Sequence, residues 1–151
     1  MEPMRPERAA ERDQVGRAVG VIGLTSIALI HLLDGVDEVH EHIVIFGLYL
    51  ALMAGTFLVA ALLLRTDSRL AWSLALLMAG LTFLGFVLSR TSGLPGFHDQ
   101  VGDWLEPLGL SSMFVEGSIV LLALYKVMTT PPVTNLVNAI TRSPDRQARP
   151  A

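Results

Sequence analysis

Four long apolar stretches, separated by short polar segments, form the main pattern of hydrophobic and polar positions along this chain. They cover residues 16–33, 43–64, 70–89 and 108–128. Each stretch is close to the ~20 residues that a helix needs to cross a hydrocarbon core of about 30 Å. The pattern therefore predicts an all-α protein, a bundle of four transmembrane helices.

Basic residues distinguish the two ends of such a bundle. If the four stretches cross the membrane in turn, only Arg90 lies beside one end, and every other basic residue lies beside the opposite end. These other residues are Arg5, Arg8, Arg12, Arg17, Arg65, Arg69, Lys126, Arg142, Arg146 and Arg149. Lys and Arg are retained on the cytoplasmic side of a membrane, so both termini are expected in the cytoplasm.

Composition narrows the classes of function. Of the 151 residues, 52% are hydrophobic, which fits one membrane domain, 16–128, between a cytoplasmic leader, 1–15, and a cytoplasmic tail, 129–151. No small-residue cleavage site follows the first stretch, so we interpret it as a retained helix and not as a signal peptide. The absence of cysteine excludes disulfides, thiolate metal sites and thiol catalysis. The lipid bilayer is the expected partner, and the lack of a basic stripe argues against nucleic acid.

The connection between the third and fourth stretches, residues 90–107, differs from the others in length and pattern. It begins with a run of turn residues at 92–96. Apolar residues then follow at helical spacing, namely Phe97, Val101, Trp104 and Leu105. We expect a short interfacial helix here, with Phe97 and Trp104 in the headgroup region as a lid over the outer end of the bundle. Pro107 suits the start of the fourth helix.

Small residues recur every four positions in the second and third stretches. They are Gly47, Ala51 and Gly55, and then Ala71, Ala75 and Ala79. Such stripes let two helices approach closely where lipid supplies no hydrophobic driving force for association. They would either pack the bundle internally or join two copies of the chain, and we favour internal packing.

Histidines and carboxylates gather at the end that lacks the basic cluster. His31 and Asp34 are three residues apart and share a helical face, and His98 lies in the long connection. Imidazole and carboxylate groups are the usual non-thiol ligands of divalent cations, so these three residues form a weak candidate metal site. The alternative is that polar residues simply occupy the longer loops, because no recognised metal-binding spacing is present.

Glu116 is the sharpest candidate for a functional residue because it lies inside the fourth stretch. At ~1.5 Å per residue it is about 12 Å from the outer end of that helix. A charge at the membrane centre costs roughly 2.5–3.5 kcal/mol, so its carboxyl should face protein or water. We expect Arg90 as its partner, with His31 and then Thr25 or Ser26 as second choices. The pair would either clamp the helices together or form a working site for a proton, a cation or a small ligand.

Enzymatic chemistries find little support in the sequence. Only His31 lies clearly within an apolar stretch, so the paired axial histidines of a membrane haem are missing. No G-x-S-x-G motif supports a hydrolase built from Ser89, His98 and Asp99. We therefore predict no enzymatic activity and no cofactor.

Several segments at the outer end carry a resemblance to one family. They are Ser89-Arg90-Thr91-Ser92-Gly93-Leu94-Pro95-Gly96, Trp104-Leu105-Glu106-Pro107-Leu108-Gly109, Val115-Glu116-Gly117 and His31-Leu32-Leu33-Asp34. In these segments the chain resembles an uncharacterised group of small four-span membrane proteins from actinobacteria. Residues 35–42 depart from that pattern, because they are more acidic and richer in histidine. The resemblance implies a four-helix membrane fold and a bacterial plasma membrane, and it implies no activity.

Two functions of different classes remain open from the sequence. The first is a non-enzymatic accessory or interaction subunit of a membrane assembly, which the small-residue stripes and the lack of a catalytic set favour. The alternative is a carrier or sensor that binds a proton or a cation at a polar site near the outer face. That site would be built from Glu116, Arg90, His31 and Asp34.

Overall fold

A computed structural model describes residues 6–38, 43–93 and 100–131 of the chain. Within these residues the protein consists of four helices: α1 (Pro6–Glu38), α2 (Ile43–Arg65), α3 (Arg69–Thr91) and α4 (Pro107–Thr129). Each helix contains a segment long and apolar enough to cross a membrane. The prediction of an all-α fold with four membrane-spanning helices is confirmed, and α1 is longer than its apolar stretch because it already begins at Pro6.

The starts of α3 and α4 follow from local capping chemistry. The Ser68 hydroxyl accepts a hydrogen bond from the Ala71 backbone N–H over 3.2 Å, which satisfies one free donor at the start of α3. The Glu106 carboxylate accepts from the N–H groups of Leu108 and Gly109 over 2.9 and 2.6 Å. Pro107 occupies the first turn of α4, where its missing N–H costs nothing, as the sequence predicts.

Consecutive helices run antiparallel, and α1 packs most extensively on α2 and α3 on α4, while α1 also contacts α4. We name the two ends of the bundle by what they contain. The terminal end holds the start of α1, the turn from α2 to α3 and the end of α4. The loop end holds the connections from α1 to α2 and from α3 to α4. The core between the ends includes the fully buried Leu24, Ile27, Leu63 and Trp72.

The two stripes of small residues behave differently. In α3, Ala71, Ala75 and Ala79 are all fully buried, so this stripe packs inside the bundle as expected. In α2, a Cβ added to Gly55 would lie 3.0 Å from a side chain of α3, but a Cβ added to Gly47 would meet nothing within 4 Å. The α2 stripe therefore packs internally only in the half nearer the terminal end. Towards the loop end, α2 and α3 leave a space between them.

The connection from α3 to α4 is described from residue 100 onwards. Residues 100–106 form turns and irregular backbone, so the interfacial helix expected here is not confirmed. Phe97 and His98, expected in the lid and in the metal site, lie outside the described residues. Trp104 is 39% exposed and meets the Phe86 ring edge-on with centroids 6.2 Å apart. The backbone N–H of Gly102, at φ 86°, donates to the Arg90 carbonyl over 3.0 Å and folds the connection back onto α3.

Candidate functional site

A cavity of about 530 Å³ lies at the loop end, between the separated halves of α2 and α3. Its walls are mostly apolar, and side chains from all four helices reach it. Polar and charged residues are gathered around it, and they are His31, Asp34, Tyr49, Thr82, Ser89, Arg90, Gln100, Glu106 and Ser112. A mostly apolar cavity with a few converging polar groups is the usual form of a small-molecule site, and this volume is typical of such sites.

The exposed residues of the lining locate the opening of the cavity. Of the described residues that line it, only Leu48, Ala51 and Leu81 are exposed, and all three belong to α2 or α3. At ~1.5 Å per residue, Leu48 lies about 8 Å from the start of α2 and Leu81 about 15 Å from the end of α3. Both residues lie within the apolar segments of α2 and α3 that are long enough to cross a membrane. The cavity therefore opens sideways between two helices, towards lipid.

Glu116 is fully buried directly behind this cavity. Its Oε1 atom accepts a hydrogen bond of 2.7 Å from the Ser112 hydroxyl and lies 3.7 Å from the Nε2 atom of His31. Ser112 and His31 both line the cavity, so one layer of side chains separates the carboxyl from it. Within the described residues the Oε2 atom has no hydrogen-bond partner. If Glu116 is ionised, this buried oxygen stays unsatisfied, at a cost of about 1–3 kcal/mol.

Thr82 of α3 is the third cavity residue beside the carboxyl of Glu116. Its hydroxyl proton is already directed elsewhere, because it donates to the carbonyls of Met78 and Ala79 over 3.1 and 3.0 Å. A hydroxyl has one proton to donate but also accepts, so Thr82 can accept a hydrogen bond from Glu116 when that carboxyl is protonated, without giving up the bonds to its own helix.

The geometry of His31 fixes how protons are distributed between its ring and Glu116. Its Nδ1 atom lies 2.9 Å from the Ile27 carbonyl oxygen. A carbonyl oxygen only accepts, so we assign the ring proton to Nδ1 in this bond. A neutral His31 then presents a lone pair on Nε2 to the carboxyl. Two acceptors facing each other repel, so the contact is favourable only when one further proton resides on Nε2 or on Glu116.

Asp34 extends the polar surface of the cavity by one helical turn from His31. Its Oδ2 atom accepts a hydrogen bond of 2.6 Å from the Tyr49 hydroxyl of α2. The Tyr49 ring also meets the imidazole of His31 edge-on, with centroids 5.4 Å apart. The structure thus brings His31 and Asp34 together on one side of the cavity, as their spacing in the sequence predicts.

Arg90 contacts the connection instead of Glu116, so the expected Arg90–Glu116 pair is wrong. Its guanidinium donates to the Gln100 side chain over 2.6 Å and lies 3.4 Å from the Glu106 carboxylate. It is 5% exposed, packs over the Phe86 ring at 5.1 Å, and its Nε atom has no partner within the described residues. The reason is proximity, because Glu106 caps the adjacent helix end whereas Glu116 lies about 14 Å down α4.

The close packing of Arg90 and Glu106 at the start of α4 requires a glycine at position 109. A Cβ at this position would lie 2.6 Å from the Phe86 ring, 2.8 Å from the Glu106 carboxylate and 3.2 Å from the Arg90 guanidinium. The absence of a side chain therefore lets the first turn of α4 approach α3 closely.

The structure also bears on the other expected partners of Glu116 and on the candidate metal ligands. Thr25 and Ser26 donate to carbonyls of their own helix over 2.8 and 2.9 Å. Among the described residues no group of three or more His, Asp or Glu could hold a metal ion. The candidate metal site keeps His31 and Asp34 near one another, while its third member, His98, falls outside the described residues.

Sequence reasoning missed three residues of the site. Ser112 precedes Glu116 by four positions, which places both on one helical face, so the sequence contained a signal for this contact. Tyr49 and Thr82 carried no such signal, because their role depends on how α2 and α3 are rotated against the other helices. The fold and the cavity define a small multi-pass membrane protein with a polar site within the membrane. No family model, no curated protein and no solved structure matches this chain.

Proposed function

We propose that this protein is a carrier or sensor that binds a proton or a cation at the loop end. We further propose that it lies in a bacterial plasma membrane with the terminal end in the cytoplasm. The concentration of Lys and Arg at the terminal end supports this orientation. The loop end, with the cavity, would then face the outer half of the membrane.

The observation that carries the proposal is the His31–Glu116 contact. The imidazole holds one proton against its own helix and turns its other nitrogen towards a carboxyl 3.7 Å away. This pair has a place for one exchangeable proton, and Ser112 supplies a hydrogen bond to the carboxyl. Ionisable groups within membrane helices characteristically mark proton or ion pathways.

The competing interpretation is a clamp that only holds the helices together. A clamp is stable when its buried charges and polar atoms are all paired. Here one carboxyl oxygen of Glu116 is unpartnered within the described residues, and a cavity begins one side chain away. These two features favour a working site over a clamp.

Infrared difference spectroscopy of the purified protein, recorded between acidic and alkaline buffers, tests the proposal. Every carboxyl that becomes protonated gives a carbonyl band, and the band of a carboxyl buried away from water lies at higher frequency than those of exposed Asp and Glu side chains. This separate high-frequency band should appear in the wild type and be absent in Glu116→Gln. The band should persist in Glu11→Gln, a change at an exposed position of α1. His31→Gln should move the pH at which the band appears, because the two groups share the proton. An unchanged band in a folded Glu116→Gln protein would exclude Glu116 as the proton site.

The accessory-subunit function stays a prediction. Its support is the apolar outer face of α4, where Phe114, Leu121 and Met128 are exposed, although lipid would cover these side chains equally well. Purification of the tagged chain from native membranes under mild conditions tests it. A stoichiometric membrane partner would support an accessory role, and recovery of the chain alone would count against it.

A further inference from the structure

We propose that the ligand of the loop-end cavity is a cationic amphiphile, a single apolar tail that bears one protonated amine. It would enter sideways from the lipid through the gap between α2 and α3. This inference rests on the proposed cation-binding function and names the class of cation that the site would take.

The position and size of the cavity point to an amphiphile. Its exposed lining residues, Leu48, Ala51 and Leu81, lie at hydrocarbon depth, so a ligand that crosses this opening must be soluble in lipid. The volume of about 530 Å³ falls within the ~300–1,000 Å³ of ordinary small-molecule sites. The wall between the opening and the polar groups is formed by apolar side chains such as Leu52, Met78 and Phe86.

The balance of charges around the cavity points to a cation. The Arg90 guanidinium is matched by the Glu106 carboxylate. On the opposite side, Asp34 and Glu116 flank a single base, His31. Asp34 accepts from a neutral tyrosine hydroxyl, and no basic side chain lies within 4.0 Å of it among the described residues. When His31 and Glu116 share one proton, the net charge of the pair is zero, whether the proton resides on the imidazole or on the carboxyl. Asp34 then leaves one negative charge uncompensated.

An amine suits this position better than the alternatives. An ammonium group donates hydrogen bonds and offers the charge that Asp34 lacks. A fatty acid of the same length would bring a third carboxylate beside Asp34 and Glu116. A neutral alcohol would fill the same volume but leave the charge of Asp34 unmatched. The order of affinity expected is therefore amine, then alcohol, then fatty acid.

Photolabelling in vesicles tests the inference directly. The probe is a long-chain primary alkylamine with a photoreactive group in its tail, and mass spectrometry locates the label. We expect labelling of α2 and α3 at the cavity opening, near Leu48 and Leu81. An unlabelled alkylamine should abolish this labelling, whereas an alcohol of the same chain length should compete about tenfold less well, since a charge-assisted hydrogen bond is lost. Equal competition by the alcohol or the fatty acid would overturn the inference.

Two glycines of α3 provide a matched pair of variants. Gly85 lines the cavity and Gly80 does not, and a Cβ at either position would meet nothing within 4 Å. Gly85→Leu should reduce labelling about tenfold or more by filling the cavity, and Gly80→Leu should leave it unchanged. Asp34→Asn, which retains an acceptor for Tyr49, should weaken amine competition about tenfold and leave alcohol competition unchanged. If neither Gly85→Leu nor Asp34→Asn changes the labelling, the probe reaches the protein from the surrounding lipid and not from the cavity. That result would contradict the proposed site.

The infrared titration separates failure of this inference from failure of the proposed function. A Glu116 carboxyl that titrates, combined with no specific amine labelling, would overturn the amphiphile and retain the proton site. Specific amine labelling, combined with a carboxyl that does not titrate, would support the amphiphile and overturn the exchangeable proton.

Discussion

Both ends of the bundle bury charged side chains, but the ends differ in how completely the polar atoms of these side chains are paired. At the terminal end, Lys126 is 4% exposed, and its Nζ atom lies 2.7 Å from Asp13 and 3.4 Å from Asp67. It also packs over the Trp72 ring at 5.6 Å, while the indole N–H of Trp72 donates to Asp67. One cation thus meets two carboxylates and an aromatic face, and it ties α1 and α4 to the turn between α2 and α3.

The loop end contains the same kinds of residues, but their polar atoms are not all paired. Its buried carboxyl, Glu116, has one oxygen unpartnered within the described residues, and the Nε atom of Arg90 is also unpartnered there. Both groups lie beside a cavity, whereas Lys126 lies against Gly16, where an added Cβ would come within 2.8 Å of its side chain. A buried charge alone therefore does not indicate a function. Among the residues that the structure describes, buried polar side-chain atoms without a partner occur only at the loop end, beside the cavity.

Trp72→Ala should produce the largest loss of stability, because it removes the fully buried ring on which the terminal end is packed. Truncation of a buried aromatic residue costs roughly 3–5 kcal/mol in free energy of unfolding. Unfolding in mixed micelles with an increasing fraction of a denaturing detergent measures this change. Phe114→Ala, at a side chain 76% exposed on α4, is the control and should cost far less. Comparable losses in the two variants would mean that the terminal end is not the stable end.

Lys126→Met should cost about 2 kcal/mol, because it keeps the length of the side chain but leaves Asp13 and Asp67 without their cation. Breaking a fully buried pair costs about 3–5 kcal/mol, and the value here is lower because Asp13 is 60% exposed. The double variant Lys126→Met with Asp13→Asn should recover part of this loss in the same unfolding measurement. If Lys126→Met proves as stable as the wild type, the cluster is only a surface contact.

Two glycine-to-alanine changes should have effects of opposite sign. A Cβ at Gly20 would lie 2.8 Å from the Trp72 ring, so Gly20→Ala should destabilise the protein by about 1–2 kcal/mol through overpacking. A Cβ at Gly85 would meet nothing within 4 Å, so Gly85→Ala should stabilise it by about 0.5–1 kcal/mol through helix propensity. The unfolding midpoints of the two proteins provide the comparison. Equal effects would contradict the difference in packing between the ends.

The sequence predicts the helices of this protein better than their contacts. Apolar runs near ~20 residues identify the four helices because lipid leaves few other structures for them. Glu116 stands out for the same reason, as an ionisable residue within such a run. Its partner could not be predicted, because the choice between Arg90 and His31 depends on the rotation of each helix. Lys126 likewise looks like an ordinary residue at a helix end, and only the fold brings Gly16 and Asp13 beside it.

The loop-end connection was predicted in part. Pro107 marks the start of α4 correctly, since capping chemistry is local in the chain. The apolar spacing from Phe97 to Leu105 predicts a helix, which is not confirmed. In the described part of this segment, residues 100–106 fold back so that Gln100 and Glu106 meet Arg90. A buried guanidinium group requires partners, and Gln100 and Glu106 supply them.

The double use of Glu106 has a mechanical consequence. The same carboxylate caps the first turn of α4 and contacts Arg90 in the last turn of α3. Gly109 also packs closely against the Phe86 ring, so these contacts hold the end of α3 and the start of α4 together beside the cavity. On the opposite wall, a Cβ at Gly47 of α2 would meet nothing within 4 Å, and the described residues show no comparable contact between α2 and α3 there. Ligands of different width would accordingly be accommodated by a shift of α2 together with α1, on which it packs most extensively, away from α3 and α4.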